Sequence, residues 1–281
     1  MAKAFHWLGS ATMQPSKSAD PPNEGFAASG HTERYCGMLV DKAAKQAWSA
    51  TRDIDWHVPP QRPWWLPRRN HVILTSQFLH GEQVARSACE TLLPLLPEGP
   101  FRQALETQIA DEARHVEAHA RYLSRIGDIA PPRPLLVQAL GHIQDWQGCA
   151  IGLVLATHVV LESEALAIQQ ELARDFPCPI MHQISRFSAR DESRHIALGR
   201  VLLRAAALPA QPFEVRLKLH RQLRRLWRDC AAAAKADHGW AFARAAPEGR
   251  LETGWRRLQA RFRRVGLIGA GEDSLFAETS A

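Results

Sequence analysis

The sequence contains the pattern Asp-Glu-x-Arg-His twice, at residues 111–115 and 191–195. In a helix, each copy places a glutamate and a histidine three positions apart on one face. These pairs are Glu112 with His115 and Glu192 with His195. A single pair of this kind on an arginine-rich helix usually belongs to a solvated face. Two copies with matching surroundings favour a shared buried site.

A further glutamate precedes each copy at the same distance. Glu82 lies 29 residues before Asp111, and Glu162 lies 29 residues before Asp191, so the halves of the repeat are offset by 80 residues. In each half, the first glutamate lies about as far before the end of one helix as the motif lies after the start of the next, antiparallel helix. The repeat therefore predicts four carboxylates and two imidazoles at one level of a helical bundle.

The residues between 70 and 207 predict four long helices and no convincing strand. They are rich in Ala, Leu, Glu, Arg and Gln, and prolines or glycine separate the helical segments. The predicted helices cover about 70–94, 101–126, 135–175 (bent near Gly148) and 180–207. Short loops between them predict an up-down bundle, with a longer crossing between the second and third helices.

The flanking segments differ in composition. Residues 1–34 are rich in Ser, Ala, Pro and Gly and predict a flexible N-terminal tail. Pro59-Pro60 prevents regular helix in 56–69, which we expect to pack over the bundle end, with a substrate lid as the alternative. Other helices are predicted at 38–50, 213–246 and 251–264. We therefore expect one all-α domain over 35–281, with bundle core 70–207 and basic C-terminal helices 213–264.

Four carboxylates buried together carry a prohibitive electrostatic cost unless they are compensated. Two divalent cations would neutralise them, with neutral histidines as additional ligands. Glutamates from two helices and Glu-x-x-His from two others form the di-iron or di-manganese carboxylate arrangement. This O/N donor set suits Fe(II) or Mn(II) better than copper or structural zinc. The predicted metal ligands and catalytic residues are Glu82, Glu112, His115, Glu162, Glu192 and His195.

Neighbouring acids leave alternatives open. Glu164 competes with Glu162, but two residues correspond to about 200° on a helix, so only one faces inward, and the repeat favours Glu162. Asp111 and Asp191 directly precede predicted ligands. We expect each of them either to hydrogen-bond the imidazole of the facing helix or to be solvated, with equal weight.

Composition excludes several other classes. The five cysteines form no CxxC pair, which argues against a disulfide scaffold, a zinc ribbon or a rubredoxin-type iron site. The longest uncharged stretch, 146–161, has 16 residues and is too short and polar to span a bilayer. The first thirty residues contain no continuous apolar segment of a secretory signal. We expect a cytoplasmic protein with no membrane partner.

The net charge of +6 is concentrated near the C-terminus. Residues 213–265 contain 14 Lys/Arg and 5 Asp/Glu, a local charge of +9, so the remainder is near −3. A solvated helix face is the commonest explanation, and docking of an acidic protein or of nucleic acid are the functional alternatives. The arginines concerned are Arg221, Arg224, Arg225, Arg228, Arg256, Arg257, Arg261, Arg263 and Arg264.

The repeated motif resembles the ferritin-like di-iron carboxylate superfamily, and within it the para-aminobenzoate N-oxygenase (arylamine oxygenase) family. That family has two copies of a glutamate followed, at a distance like that between Glu82 and Asp111, by Asp-Glu-x-x-His. His119, one turn after His115, and the stretch 162–175 followed by Met181-His182 are also similar to the family. The resemblance covers about residues 70–200.

The resemblance implies a ferritin-like four-helix bundle with additional N- and C-terminal helices, and a homodimer. It implies two iron ions, with Fe/Mn or manganese as alternatives. The implied activity is that of a di-iron monooxygenase, an oxidoreductase that activates O2 to oxidise a small organic substrate. N-oxygenation of an arylamine is the finer expectation.

The chain has no flavin motif, Gly-rich dinucleotide loop or Fe–S cysteine set. An external ferredoxin or reductase is therefore expected to supply electrons. Some apolar residues lie one turn from the predicted ligands, and we expect them to line the substrate cavity or to form ordinary core. These residues are Phe78, Leu79, Leu155 and Leu166.

One position departs from the family. Arylamine N-oxygenases carry an extra histidine ligand one turn before the glutamate of the second Glu-x-x-His, where this chain has Ser188. The substrate or the reaction of this protein is therefore expected to be able to differ from that of the family. His158, one turn before Glu162, and His119 are candidates to replace the missing ligand, or else to support the ligands from outside.

Two other classes remain as alternatives. The ribonucleotide reductase small subunit resembles this pattern but places its radical tyrosine where this chain has His119. The only tyrosines here are Tyr35 and Tyr122, and Tyr122 lies a further turn along the helix. The other alternative is a ferritin-like iron-binding protein without an organic substrate. A rubrerythrin-type peroxidase is disfavoured because CxxC pairs are absent, and acyl-carrier-protein desaturases have longer glutamate-to-motif distances.

Overall fold

A computed structural model describes residues 26–27, 29–144, 150–245 and 250–278. Within these ranges all regular structure is helical, which confirms the all-α expectation. The helices are α1 (Gly30–Gln46), α2 (Arg68–Leu92), α3 (Pro100–Ile126), α4 (Pro134–Gln144), α5 (Ala150–Val154), α6 (Glu162–Asp175), α7 (Pro179–Ala205), α8 (Phe213–Ala245), α9 (Arg250–Val265) and α10 (Asp273–Glu278).

Two antiparallel helix pairs form the centre of the bundle. α2 packs along α3, α6 packs along α7, and α3 and α7 also contact each other. Prolines fix the boundaries, because Pro100 and Pro179 occupy the first turns of α3 and α7, where a missing N–H costs nothing. α1 covers α3 and α7, and α4 packs on α8.

The predicted N-terminal tail 1–34 is wrong at its C-terminal end. α1 begins at Gly30, eight residues before the predicted helix, because Ser29 and Thr32 form a reciprocal capping box. Phe26 is buried in the core, and the backbone N–H of Ala27 donates to the carbonyl of Ala205. Residues 1–25 and 28 lie outside the described ranges.

The predicted helix 135–175 is divided in the structure. α4 ends at Gln144, and the predicted bend at Gly148 lies outside the described residues. A π-helix, Leu155–Leu161, then joins α5 to α6. Such wide turns are rare and frequently occur at functional sites. This one directly precedes Glu162.

Residues 47–67, between α1 and α2, contain no helix and pack over the end of α3. The predicted absence of helix holds for 56–67, whereas the helix predicted over 38–50 already ends at Gln46 and α2 begins at Arg68. Arg125 of α3 donates hydrogen bonds to the carbonyls of Trp56 and Val58. Near the C-terminus, the guanidinium of Arg216 on α8 donates two 2.7 Å hydrogen bonds to Glu272. These bonds connect α8 to the turn before α10.

Within the described residues, one stretch is long and apolar enough to cross a membrane, Ala150–Asp175. However, 67% of its most apolar window is buried inside the fold. Its apolar composition is therefore explained by its place at the centre of the bundle.

Candidate metal centre

The six predicted ligands converge in the bundle interior. Their donor atoms form two groups, and all atoms of a group lie within 4.8 Å of one another. Glu112 and Glu192 belong to both groups, so their carboxylates lie between two candidate metal positions. Glu82 and His115 complete one group, and Glu162 and His195 complete the other.

All six side chains are buried, and Glu82 is the most exposed of them at 7%. Both histidines turn Nδ1 towards the carboxylates. His115 Nδ1 lies 3.3 Å from Glu112 Oε2 and 3.6 Å from Glu82 Oε2. His195 Nδ1 lies 3.1 Å from the nearest oxygens of Glu112 and Glu192.

Several donor atoms at the centre of this cluster have no hydrogen-bond partner among the residues that the structure describes. They are Glu112 Oε2, Glu192 Oε1 and His115 Nδ1. Buried polar atoms left without a partner are costly and require an explanation. A pair of divalent cations coordinated by carboxylates and imidazoles satisfies these atoms and neutralises the four acids. The donor set therefore fits a dinuclear metal centre.

The buried charges shift the pKa values of the cluster strongly. Burial alone would raise the pKa of Glu112, but His195 and His115 lower it below its usual range. Burial, together with the neighbouring Glu162 carboxylate, raises the pKa of Glu192 well above its usual range. Burial alone would lower the pKa of His195, but the carboxylates of Glu112 and Glu162 raise it well above its usual value. Protons and cations therefore compete for the same donor atoms.

The two aspartates of the repeat orient the histidines of the facing helices. Asp191 Oδ2 lies 3.3 Å from His115 Nε2, and Asp111 Oδ2 lies 3.1 Å from His195 Nε2. Both carboxylates are buried, so they are not the solvated acids of the alternative interpretation. An Nε2–H donated to aspartate leaves Nδ1 free to bind a metal.

Arg194 joins these two aspartates. Its guanidinium nitrogens lie 2.7 Å from Asp111 Oδ2 and 2.7 Å from Asp191 Oδ1, and only 4% of its side chain is exposed. The equivalent Arg114 in the first copy contacts Asp111, but 21% of its side chain is exposed. One buried positive charge thus compensates both aspartates.

Gln108 contacts the cluster from α3, and its amide N–H donates to Glu162 Oε1 at 2.8 Å. Its carbonyl oxygen accepts a 3.0 Å hydrogen bond from His158 Nε2. Position 108 is the repeat equivalent of Ser188, since the two are 80 residues apart. Ser188 itself is buried, and its hydroxyl has no hydrogen-bond partner among the described residues.

Neither candidate replacement histidine lies in the donor groups. His158 is fully buried in the π-helix and is bound to Gln108. His119 Nδ1 donates to the backbone carbonyl of His115 at 2.9 Å, and its closest approach to Glu82 is 4.0 Å. Both histidines support the centre from outside its donor atoms.

The remaining candidates lie apart from the donors. Glu162, and not Glu164, is in the cluster. Leu79 and Leu155 are buried in hydrophobic clusters, while Phe78 and Leu166 are partly exposed. Tyr35 is 39% exposed, and the hydroxyl of Tyr122 lies 3.2 Å from His71 and 3.3 Å from Cys178.

Sequence reasoning missed three residues around the centre, Trp48, Gln108 and Arg194. The 80-residue offset applied to Ser188 would have indicated Gln108. The arginine shared by both motif copies would have indicated Arg114 and Arg194 without distinguishing between them. Trp48 comes from an irregular segment and carries no such signal.

A buried cluster of four glutamates and two histidines within a four-helix core defines a ferritin-like carboxylate protein. The family described as P-aminobenzoate N-oxygenase AurF matches residues 79–219, just over half of the chain. The protein therefore belongs to this ferritin-like di-iron family. No curated protein matches the chain.

Proposed function

We propose that this protein is a di-iron oxygenase that uses O2 to oxidise a small organic substrate, an arylamine at nitrogen. The observation that carries the proposal is the pair of donor groups that share Glu112 and Glu192. Membership of the N-oxygenase family supports the nature of the substrate. The net reaction is R–NH2 + O2 + 2e⁻ + 2H⁺ → R–NHOH + H2O.

In this proposal Glu82 and His115 would hold one metal, and Glu162 and His195 would hold the other, with Glu112 and Glu192 available to both. When bound, the metal pair supplies the reduction of O2 and the transfer of one oxygen atom to the substrate. Iron is the metal of the family, and manganese is the alternative that the same donors accept.

The protein's own residues fix the donors. Asp111 and Asp191 hold the imidazoles in one tautomer, and the amide of Gln108 holds one oxygen of Glu162. Burial of the whole cluster excludes bulk water, which strengthens every charge interaction inside it.

The unpaired state of the described cysteines, Cys36, Cys89, Cys178 and Cys230, supports a reducing, cytoplasmic compartment as part of this proposal. The proposal also includes that the protein forms a homodimer and receives its electrons from an external reductant.

The test compares iron loading of the wild type, Glu112→Ala and Glu117→Ala under anaerobic conditions. Glu117 is exposed on the same helix and provides the matched control. We expect two irons per chain in the wild type and the control, and loss of iron in Glu112→Ala. Exposure to O2 should then give a transient visible absorption band.

Arylamines are the first substrates to screen, with N-hydroxylated product detected by mass spectrometry. Less than one iron per chain, with no change in Glu112→Ala, would refute the metal centre. Two irons and an absorption band without oxidation of any amine would refute the N-oxygenase assignment only.

A further inference from the structure

A basic pocket of about 560 Å³ opens between α1, α7 and α9. Arg200 and Arg204 line it from α7, and Arg263 and Arg264 line it from α9. All four arginines are exposed. Tyr35 of α1 contributes a 39% exposed aromatic ring, so the pocket combines positive charge with an apolar surface.

Most of this charge is uncompensated. Arg263 forms a 2.6 Å ion pair with Asp273. Arg200, Arg204 and Arg264 form no ion pair with any side chain in the described part of the chain.

The pKa of the adjacent Arg261 reflects the charges around the pocket. Burial lowers its pKa, and the positive charge of Arg264 lowers it further. The Glu164 carboxylate opposes this shift, and the charges of Arg257 and Arg200 add to it. Isolated exposed arginines are simply hydrated, but here several converge on one concave surface. Such a surface attracts acidic partners.

The pocket lies behind the candidate metal centre. Ala197 lines the pocket and follows His195 by two residues on α7. Two residues correspond to about 200° of rotation, so the two side chains leave the helix on opposite sides. His195 faces the donor cluster, and Ala197 faces the pocket. The two sites are therefore separated by about one helix diameter, roughly 10 Å.

We infer that this pocket is the docking site of an acidic one-electron carrier protein. The inference rests on the proposed function, because each oxidation of an amine by O2 consumes two electrons. Two carrier molecules, each oxidised by one electron, supply them in succession. Carboxylates of the carrier pair with Arg200, Arg204 and Arg264, while the ring of Tyr35 contacts its surface.

The proposed docking site includes only part of the basic C-terminal helices, and it also includes residues outside them. Arg200 and Arg204 belong to the bundle helix that carries His195, not to the C-terminal segment. On α8, Arg224 stacks on the ring of Trp255 at 4.4 Å and has a packing role instead. The docking surface is thus placed by proximity to the centre as well as by charge.

The test measures binding of an acidic plant-type [2Fe–2S] ferredoxin to the full-length protein by calorimetric titration. The variants are Arg200→Glu and Arg264→Glu. Arg69→Glu is the matched control, since Arg69 is also exposed but lies at the start of α2, at the opposite end of the bundle. We expect each pocket variant to weaken binding about 10-fold or more, and the control to change it by less than about 2-fold.

Raising the ionic strength should weaken wild-type binding more than that of the pocket variants. Equal affinities for all three variants, or no binding by the wild type, would overturn the inference. Transfer RNA that displaces ferredoxin and depends on the same arginines would replace it with nucleic-acid binding. Iron content of the same variants tests the proposed function separately, because ferredoxin binding requires no turnover.

Discussion

The indole nitrogen of Trp48 donates a 2.7 Å hydrogen bond to Asp191. The same aspartate oxygen lies 3.3 Å from Nε2 of His115, so an indole outside the bundle helices shares its acceptor with a candidate metal ligand. The Trp48 ring also stacks on Phe187, with ring centroids 5.0 Å apart. The loop after α1 is thereby coupled to the geometry of the centre.

Trp48→Phe should weaken both the fold and the centre. The change keeps an aromatic ring but removes the N–H, at a cost of about 1–3 kcal/mol in the free energy of unfolding. Loosening Asp191 should reduce metal affinity about 10- to 100-fold. Urea unfolding and Mn(II) titration measure these effects, with Trp64→Phe as control because Trp64 is 85% exposed. Unchanged metal affinity would show that the hydrogen bond does not position His115.

Arg194→Met should be strongly destabilising. Methionine fills similar space but leaves the buried carboxylates of Asp111 and Asp191 without their shared positive charge. We expect a loss of about 3–5 kcal/mol in the free energy of unfolding. Arg200→Met, at an exposed position of the same helix, should change it by less than about 0.5 kcal/mol. Similar unfolding curves for the two variants would contradict a compensating role for Arg194.

Gly199→Ala should disturb the contact between α7 and the π-helix. A Cβ at Gly199 would lie 2.2 Å from Cβ of His158, so one segment must move. We expect a loss of about 1–3 kcal/mol. Gly81→Ala, in α2, meets nothing within 4 Å and should stabilise the helix by about 0.5–1 kcal/mol. Thermal unfolding checks this pair, because Gly199→Ala should lower the melting temperature and Gly81→Ala should raise it. A change in the same direction for both variants would contradict the close contact.

His220 should make the fold sensitive to acid. Its buried ring packs against Trp255 and Phe276, and neither ring nitrogen has a hydrogen-bond partner in the described residues. Burial, assisted by Arg224, lowers its pKa from 6.5 to about 4. The unfolded chain therefore takes up the proton first, and stability is lost as the pH falls from 6.5 towards 4.

His220→Phe should remove this loss. We expect the variant to exceed the wild type in stability at pH 5 by more than at pH 7, measured by urea unfolding at both values. His71, whose pKa burial and Arg62 also lower to about 4, contributes equally to both proteins. Parallel pH profiles would show that His220 does not contribute.

The repeat predicted which six side chains meet because helix geometry converts sequence spacing directly into position. Distances along α2 and α3, and along α6 and α7, are fixed by backbone hydrogen bonds, so equal offsets bring residues to equal heights. The same reasoning left Asp111 and Asp191 with two equally weighted positions, and their burial beside the opposite imidazoles was decided by the structure. Helix boundaries at Pro100, Pro179 and Gly127 followed from the same local rules.

Features that depend on tertiary packing could not be predicted. Nothing in the local pattern distinguishes Arg194 from Arg114, because their different burial depends on which helices pack above them. Ser29 caps α1 with Thr32 in place of the usual Glu or Gln, so composition alone indicated a tail. The π-helix before Glu162 has no proline, glycine or periodicity to mark it.

That π-helix has a consequence for the metals themselves. The first half of the repeat approaches Glu82 through an ordinary α-helix, whereas the second half approaches Glu162 through the wide turn that carries His158. The two halves therefore have nearly identical donors but different neighbours. On the His115 side, Trp48 binds Asp191. On the Glu162 side, His158 binds Gln108. Two metals held there would differ in reduction potential and in rate of exchange, so a duplicated sequence yields a chemically unsymmetrical pair.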